Sequence, residues 1–359
     1  MKTKCYINGI GMLGAQYYSP RENSLVSTVS EFNTPVLRCQ FSEYEKYIKK
    51  GTMRRMSSSV KMGSVAAKKA LEDAKITEPD AIITGTGMGC KQDSDIFLEN
   101  LLEQNEELLT PTKFIQSTHN TVGGQLALQL QSKVYNSTFV QGSISFESAL
   151  FDAQLSMNSA EDHQHFLVGG IDEISLNTIG LQQLNGQVKK ESEIKNINLL
   201  NYKTTGSIAG EGASFFVIST EKKAASYAEL TALTTFNFLK LTSLKEEIHL
   251  FLSENKLTEN DIDAVILGKN GDVTDDEFYK EMEQKIFPEM PQLYYKHLTG
   301  EFYTASSVGF GLGAHILKHD SIPENCRLNK IEARKPIQHI LLYNQYHGRN
   351  HSFIVLEKC

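Results

Sequence analysis

The sequence predicts a layered α/β protein with buried, largely parallel sheets. Three observations carry that expectation. Short apolar runs alternate with segments of helical period along the whole chain. Several runs, such as ASFFVIS at 213–219, are apolar without alternation and are bounded by glycine or polar residues, as strands covered on both faces are. The second half repeats the element order of the first without repeating its residues. The 359 residues, 40% hydrophobic and 22% charged, are ordinary globular material, and the length is a soft prior for two domains.

In chain order, residues 3–10 read as a strand ending in glycine, 57–74 as a helix with Val60, Val65, Leu71 and Ala74 on one face, and 80–84 as a strand leading into a glycine turn. A helix is expected near 93–107, with Pro111 breaking the segment after it. Helix 121–131, strand 138–141, helix 146–158, strand 166–169 and strand 213–219 complete the first half. The second half offers strands at 230–238, 264–268, 293–295, 339–343 and 352–356. Helices are expected between them near 244–254, 276–285 and 305–319. Residues 184–207 and 320–336 read as polar connections; the first is equally a surface cap or interface loop.

Composition excludes several classes. A net charge of −7 without a long basic run argues against a nucleic-acid binder. Met53-Arg54-Arg55-Met56 with Lys61 is a candidate local basic patch for an acidic carrier protein, and equally a solvated turn and helix start. Five scattered cysteines without a C-x-x-C pair fit a reducing, cytoplasmic setting rather than a disulfide or zinc scaffold. No signal-like apolar segment or 18-residue apolar stretch is seen, so no membrane span is expected. The histidines are read as making no H-x-x-x-H or H-E-x-x-H pattern, and no metal or cofactor is expected.

Gly9-Ile10-Gly11-Met12-Leu13-Gly14 matches the dinucleotide-binding G-x-G-x-x-G, but its context fails. Residues 15–24 include Pro20 and form no amphipathic helix, and no acidic residue closes a second strand about 20 residues on. Close packing after the first strand is the better reading. Gly85-Thr86-Gly87-Met88-Gly89-Cys90-Lys91 lacks the glycine before the lysine and the hydroxyl after it that a P-loop needs.

Asn120 to Leu150, NTVGGQLALQLQSKVYNSTFVQGSISFESAL, resembles the stretch leading into the active site of β-ketoacyl synthases of the thiolase superfamily. Arg54-Arg55-Met56-Ser57, the 85–89 glycine turn, Gly169-Gly170 with Asp172-Glu173, and Gly210-Glu211-Gly212-Ala213 resemble further family signatures, in family order. The resemblance implies a thiolase-like fold: two similar βαβαβ halves, 1–220 and 221–359, in a five-layered α-β-α-β-α arrangement. It implies substrates on acyl carrier protein, and dimerisation through the strand before the nucleophile.

Aligned without a gap, the family's nucleophilic cysteine falls on Ser143. A cysteine at a helix N-terminus ionises near neutral pH, whereas a serine needs a positioned base. The family's two histidines fall on Asn270, in the shortened loop 268–272, and on Glu301, five residues after the retained Lys296. The final glycine motif corresponds to Gln345 to Asn350, with Tyr346 at the gating position and His347, Gly348 and Asn350 beside it. Asn270 supplies no cation, and a carboxylate at 301 opposes an oxyanion and repels a malonyl carboxylate. The pattern implies a chain-length-factor-like subunit that pairs with an active synthase and shapes the cavity for a fatty-acid, polyketide or aryl-polyene-type chain. Two alternatives remain: a serine-dependent acyltransferase or thioesterase with Glu301 or His347 as base, and a non-catalytic acyl-binding homodimer.

Overall fold

The structure, a computed structural model, describes residues 3–40, 44–54, 56–107, 109, 111–157, 163–333 and 336–359. Arg55 and Asn158 lie outside the described residues. In chain order the strands are β1 Tyr6–Leu13, β2 Val36–Leu37, β3 Ala81–Gly85, β4 Tyr135–Phe139, β5 His165–Asp172, β6 Ala209–Gly210, β7 Gly212–Ser219, β8 Ala228–Phe238, β9 Ala264–Leu267, β10 Gln292–Tyr294, β11 His339–Tyr346 and β12 Arg349–Glu357.

Ten of these strands form one sheet in the order β10-β9-β11-β12-β8-β1-β7-β5-β3-β4, and β2 pairs with β6 apart from it. The ten divide at the short β1–β8 junction, where Tyr6 faces Glu229 and Ile7 faces Ala228. On each side the five strands take the same order. Counted along the chain, third lies beside second, then fourth, fifth and first. The senses match too: β3 is parallel to β4 and β5, and β9 to β10 and β11, while the last two pairings of each half are antiparallel. This is a duplication of fold that the residues conceal.

The expectation of largely parallel sheets is therefore corrected to mixed sheets. Antiparallel partners need no crossover helix, and β11 turns directly into β12 at residues 346–349. Pro111 does not break its segment either. It starts a short helix, Pro111–Gln116, where its missing N–H costs nothing.

Three apolar cores give the layers. Helices Ser58–Ala74 and Thr121–Leu130 pack on one outer face through Val60, Ala66, Ala70 and Leu126. Helices Ser145–Met157 and Ser306–His319 fill the centre, with Phe146, Phe216 and Phe310 packed edge to face. Helix Leu244–Glu254 covers the other outer face through Leu244, Ile248, Phe251 and Leu252.

The first glycine motif is explained by this packing. Gly9 and Gly11 lie inside β1 rather than in a turn after it. A Cβ on Gly11 would stand 2.0 Å from the Ala66 carbonyl oxygen, and one on Gly9 2.2 Å from that of Ala70. The missing side chains let the Ser58–Ala74 helix lie directly on the strand.

Candidate functional site

The sequence places Ser143 at an elbow, and the fold shows how that elbow is built. Among the described residues β4 is an edge strand, paired with β3 alone. The chain leaves it and turns at Gly142, whose φ of +59° is the left-handed region glycine tolerates. One tight turn, Gly142–Ile144, then feeds the buried Ser145–Met157 helix. The Ser145 hydroxyl accepts from Gln141 N at 2.8 Å and donates to the Gly142 carbonyl at 2.7 Å, which fixes the bend. Ser143 is 1% exposed, and its hydroxyl has no hydrogen-bond partner among the described residues. A general base must reach within about 3.2 Å of the proton it takes, and none stands there.

Asn270, Lys296 and Glu301 are brought together. Lys296 Nζ donates to Glu301 Oε2 at 2.6 Å, with the two side chains 1% and 8% exposed. Asn270 Nδ2 donates to the same oxygen at 2.7 Å, while Asn270 Oδ1 accepts from Asp272 N at 3.1 Å. Backbone bonds from Glu301 N to Ile208 O and from Gly210 N to Glu301 O pin the carboxylate's own residue to β6. The Asn270 loop is anchored from below by Lys189, withdrawn from solvent, whose Nζ donates to Thr204 O, Thr204 Oγ1 and Gly271 O. Glu301 is thus an occupied acceptor rather than a poised base.

The final glycine motif forms the β11–β12 turn. His347 adopts φ +51°, Gly348 +64° and Asn350 +49°. Tyr346 packs on Tyr303 and on His347, whose Nδ1 is 3.9 Å from Asp272 Oδ2. Asn350 Nδ2 faces Gly142, 3.7 Å from where a Cβ would sit, so this turn touches the elbow. Glu301, Tyr346 and His347 line one slot with Asp172, Glu173 and Tyr303, and Ser143 is not in its wall. Its cavity volume is about 40 Å³, enough for a few waters and too small for an acyl chain.

The remaining signature residues are scaffold. Asp172 accepts from Thr86 Oγ1, Gly87 N, Met88 N, Thr304 N and Thr304 Oγ1, tying β5 to two turns. Glu173 accepts from Ser59 N and Gln92 N at two helix N-termini, and burial pushes its carboxyl up to about 7. Glu211 accepts from Cys39 N and Ile174 N.

Position 143 holds a hydroxyl, and the buried thiols of the chain belong to other residues. Cys5, Cys39, Cys90 and Cys326 are free and buried, and burial pushes Cys90 and Cys326 up to about 12. Among the described residues no three histidine, cysteine or acidic side chains converge on a metal position. His315 and His319 are four apart on one helix, an H-x-x-x-H pair that corrects the expectation of none. Their rings stack at 4.4 Å, with His315 Nε2 bonded to the Glu22 carbonyl.

One residue the sequence reading missed is Glu147, one helical turn beyond Ser143. It is completely buried, accepts from Ser352 Oγ at 3.0 Å, and burial pushes its carboxyl up. Its position after the elbow was the only available signal.

Comparison with known proteins agrees with this architecture. Residues 46–174 match the family model of the beta-ketoacyl synthase N-terminal domain. No curated protein matches the chain by sequence. Among solved structures, the ishigamide ketosynthase/chain length factor superposes with a TM-score of 0.77 at 16% identity, covering 100% of both chains. A β-ketoacyl synthase from Burkholderia phymatum STM815 gives 0.75 at 16% identity, again covering 100% of both. The complex of the ketosynthase ApeO with its chain length factor ApeC from Xenorhabdus doucetiae gives 0.75 at 15% identity, covering 99% of this chain and 98% of that one. Residues 46–174 thus carry the signature of a beta-ketoacyl synthase N-terminal domain, and the whole chain shares the fold of solved ketosynthase structures.

Proposed function

We propose that this chain is a non-condensing, chain-length-factor-like subunit that pairs with a cysteine-bearing β-ketoacyl synthase during acyl-chain elongation on acyl carrier protein. One observation carries the reading. The position of the nucleophile holds a hydroxyl without a base, and the two histidine positions hold Asn270 and Glu301, locked with Lys296 into a buried, charge-neutral cluster. The elbow, the glycine packing and the three scaffold carboxylates are all retained. Chemistry is lost while shape is kept, which is what a partner subunit requires.

The free edge of β4 supports pairing. Tyr135 and Val140 are 51% and 43% exposed there, and Leu128 on the helix before it is 72% exposed. Backbone groups along an unpaired edge seek a second strand. The structural relatives include ketosynthase–chain length factor assemblies, and one is an acyl-carrier protein in complex with its ketosynthase. No helix among the described residues is long and apolar enough to cross a membrane, and the reading puts the protein in the cytoplasm with its carrier.

The test is co-expression with a cysteine-bearing synthase from the same genome, then co-purification and intact-mass analysis after exposure to acyl-carrier thioester. A stoichiometric heterodimer whose acyl adduct sits on the synthase alone is expected. A stable acyl group on Ser143 would instead establish the serine-dependent acyltransferase. A homodimer indifferent to every synthase offered would establish the acyl-binding alternative.

A further inference from the structure

The slot beside Glu301 has one firm wall and one loose one. Glu301 is pinned to β6, and Tyr346 ends β11 at its turn into β12. The opposite wall comes from two helices, Lys91–Glu103 and Leu176–Leu184, through Lys91, Thr178, Ile179 and Gln182. The 13 residues of the first bury only Asp93, and the 9 of the second bury only Ile179. Their leucines lie outward: Leu98, Leu102, Leu176, Leu181 and Leu184 are 53–76% exposed. Helix Lys91–Glu103 contributes no residue to the apolar cores.

Polar bonds tie the two helices to each other. Asp95 accepts from Ser175 Oγ, Glu99 accepts from Asn177 Nδ2 at 2.6 Å, and Gln92 Nε2 donates to Ile174 O at 2.7 Å. Glu173 ties them to the body. Its Oε1 accepts from Gln92 N and its Oε2 from Ser59 N, both at 2.8 Å, so one carboxyl joins the start of the first helix to the start of Ser58–Ala74. Ile179 adds a small apolar cluster with Ile174, Val188 and Ala209. Gly89, with φ +62°, precedes the first helix, and Gly186, with φ +75°, follows the second. Glycine absorbs backbone rotation at such points at low cost, and elements with few buried apolar contacts open far more readily than a core.

We propose that Lys91–Glu103 and Leu176–Leu184 form one hinged lid over the slot, swinging about Gly89 and Gly186 and latched by Glu173. Shut, the lid leaves about 40 Å³, room for water alone. Open, it uncovers Glu301 and Tyr346 to larger molecules. The lid thereby governs access to the Lys296–Glu301–Asn270 cluster, with or without a partner subunit.

Hydrogen exchange and thiol labelling of the full chain test it. Amides inside the two helices should exchange at least about a hundredfold faster than those inside Ser58–Ala74 and Ser145–Met157. Ser207 lines the slot and is 3% exposed, so Ser207→Cys in a Cys359→Ser background reports opening through its rate of reaction with an aromatic disulfide, located by peptide mapping. Glu173→Gln, which replaces one acceptor oxygen with an N–H donor, should speed that reaction and the exchange of both helices about tenfold, the worth of one hydrogen bond. Phe251→Ala, a core truncation on the outer face covered by helix Leu244–Glu254, lowers the stability of the fold without touching the lid and should leave the labelling rate unchanged. Protection of the two helices equal to that of Ser58–Ala74 overturns the proposal. So does a labelling rate indifferent to Glu173→Gln, or one raised by Phe251→Ala, since the slot would then open only by global unfolding. Acceleration confined to Lys91–Glu103 would mean that the helices move apart, and overturns the single lid.

Discussion

Lys296 and Glu301 meet at 2.6 Å with almost no solvent contact, and Asn270 closes the third side of the carboxylate. A buried pair of this kind is held less by its net worth than by the penalty for breaking it. Removing one member leaves an unpaired charge in the interior. Lys296→Met or Glu301→Leu alone should therefore cost about 3–5 kcal/mol in denaturant unfolding. The double replacement should cost far less than the sum. Additive losses would show that the two side chains are not coupled.

The same cluster sets how activity could return. On the proposed reading, Ser143→Cys supplies a thiol at the elbow but leaves no imidazole to stabilise an oxyanion or assist decarboxylation. That variant should release no carbon dioxide from malonyl-carrier above background. Adding Asn270→His and Glu301→His should raise the rate by about a hundredfold or more, the usual worth of an oxyanion donor. Turnover by Ser143→Cys alone, measured with radiolabelled malonyl-carrier, would sink the view that these two positions disable the site.

The fold was legible where local pattern and packing agree. ASFFVIS at 213–219 becomes β7, and helix Leu244–Glu254 falls on its expected residues, because full burial and helical period leave each one solution. The order in which strands pair was not legible. Antiparallel neighbours such as β7 and β1 come from opposite ends of a half, and nothing local records that. Helix Leu176–Leu184 hid because its leucines at 176, 181 and 184 face outward, reversing the usual signal. At the site, family spacing picks out Ser143, Asn270 and Glu301 as expectations, but the bonds that join Asn270 and Glu301 depend on Lys296 and Ile208, which no local pattern brings to them. Glu147 had no motif to mark it.

Glycine packing makes a sharp pair of stability tests. Gly11→Ala drives a Cβ to 2.0 Å from the Ala66 carbonyl oxygen and 2.5 Å from Ala70 N, both backbone atoms that cannot swing aside. The helix must lift from β1, costing about 3 kcal/mol or more. Gly124→Ala, inside helix Thr121–Leu130 with nothing within 4 Å of the new Cβ, should instead gain about 0.5–1 kcal/mol. Thermal melts of the two variants should move in opposite directions.

Pairing through the β4 edge predicts a separation of assembly from stability. Leu128→Lys with Tyr135→Lys places two charges on side chains that are exposed in the single chain. The isolated subunit should change by no more than about 1 kcal/mol, since neither residue is in its core. Co-purification with the synthase, or self-association on gel filtration, should be lost. Retained assembly with both lysines in place would move the interface elsewhere on the surface.

His297 gives the acid response a specific source. It is 2% exposed, its ring lies 4.2 Å from that of Tyr294, and the Asn325 backbone beside it only partly offsets its burial. Burial lowers its pKa to about 3. The unfolded chain, with an ordinary value near 6.5, takes up the proton that the folded state refuses. Stability from this group is fully present above about pH 6.5 and is lost as pH falls toward 3. Glu173, raised to about 7, acts with the opposite sign, its contribution being lost as pH rises from 4.5 to 7. That term is common to wild type and variant and cancels between them. His297→Leu should therefore be about 2 kcal/mol less sensitive than wild type to a change from pH 7.5 to 5.0, read from denaturant midpoints at both values. Parallel losses in the two proteins would mean that His297 is protonated in the native state and that the acid sensitivity arises at another buried base.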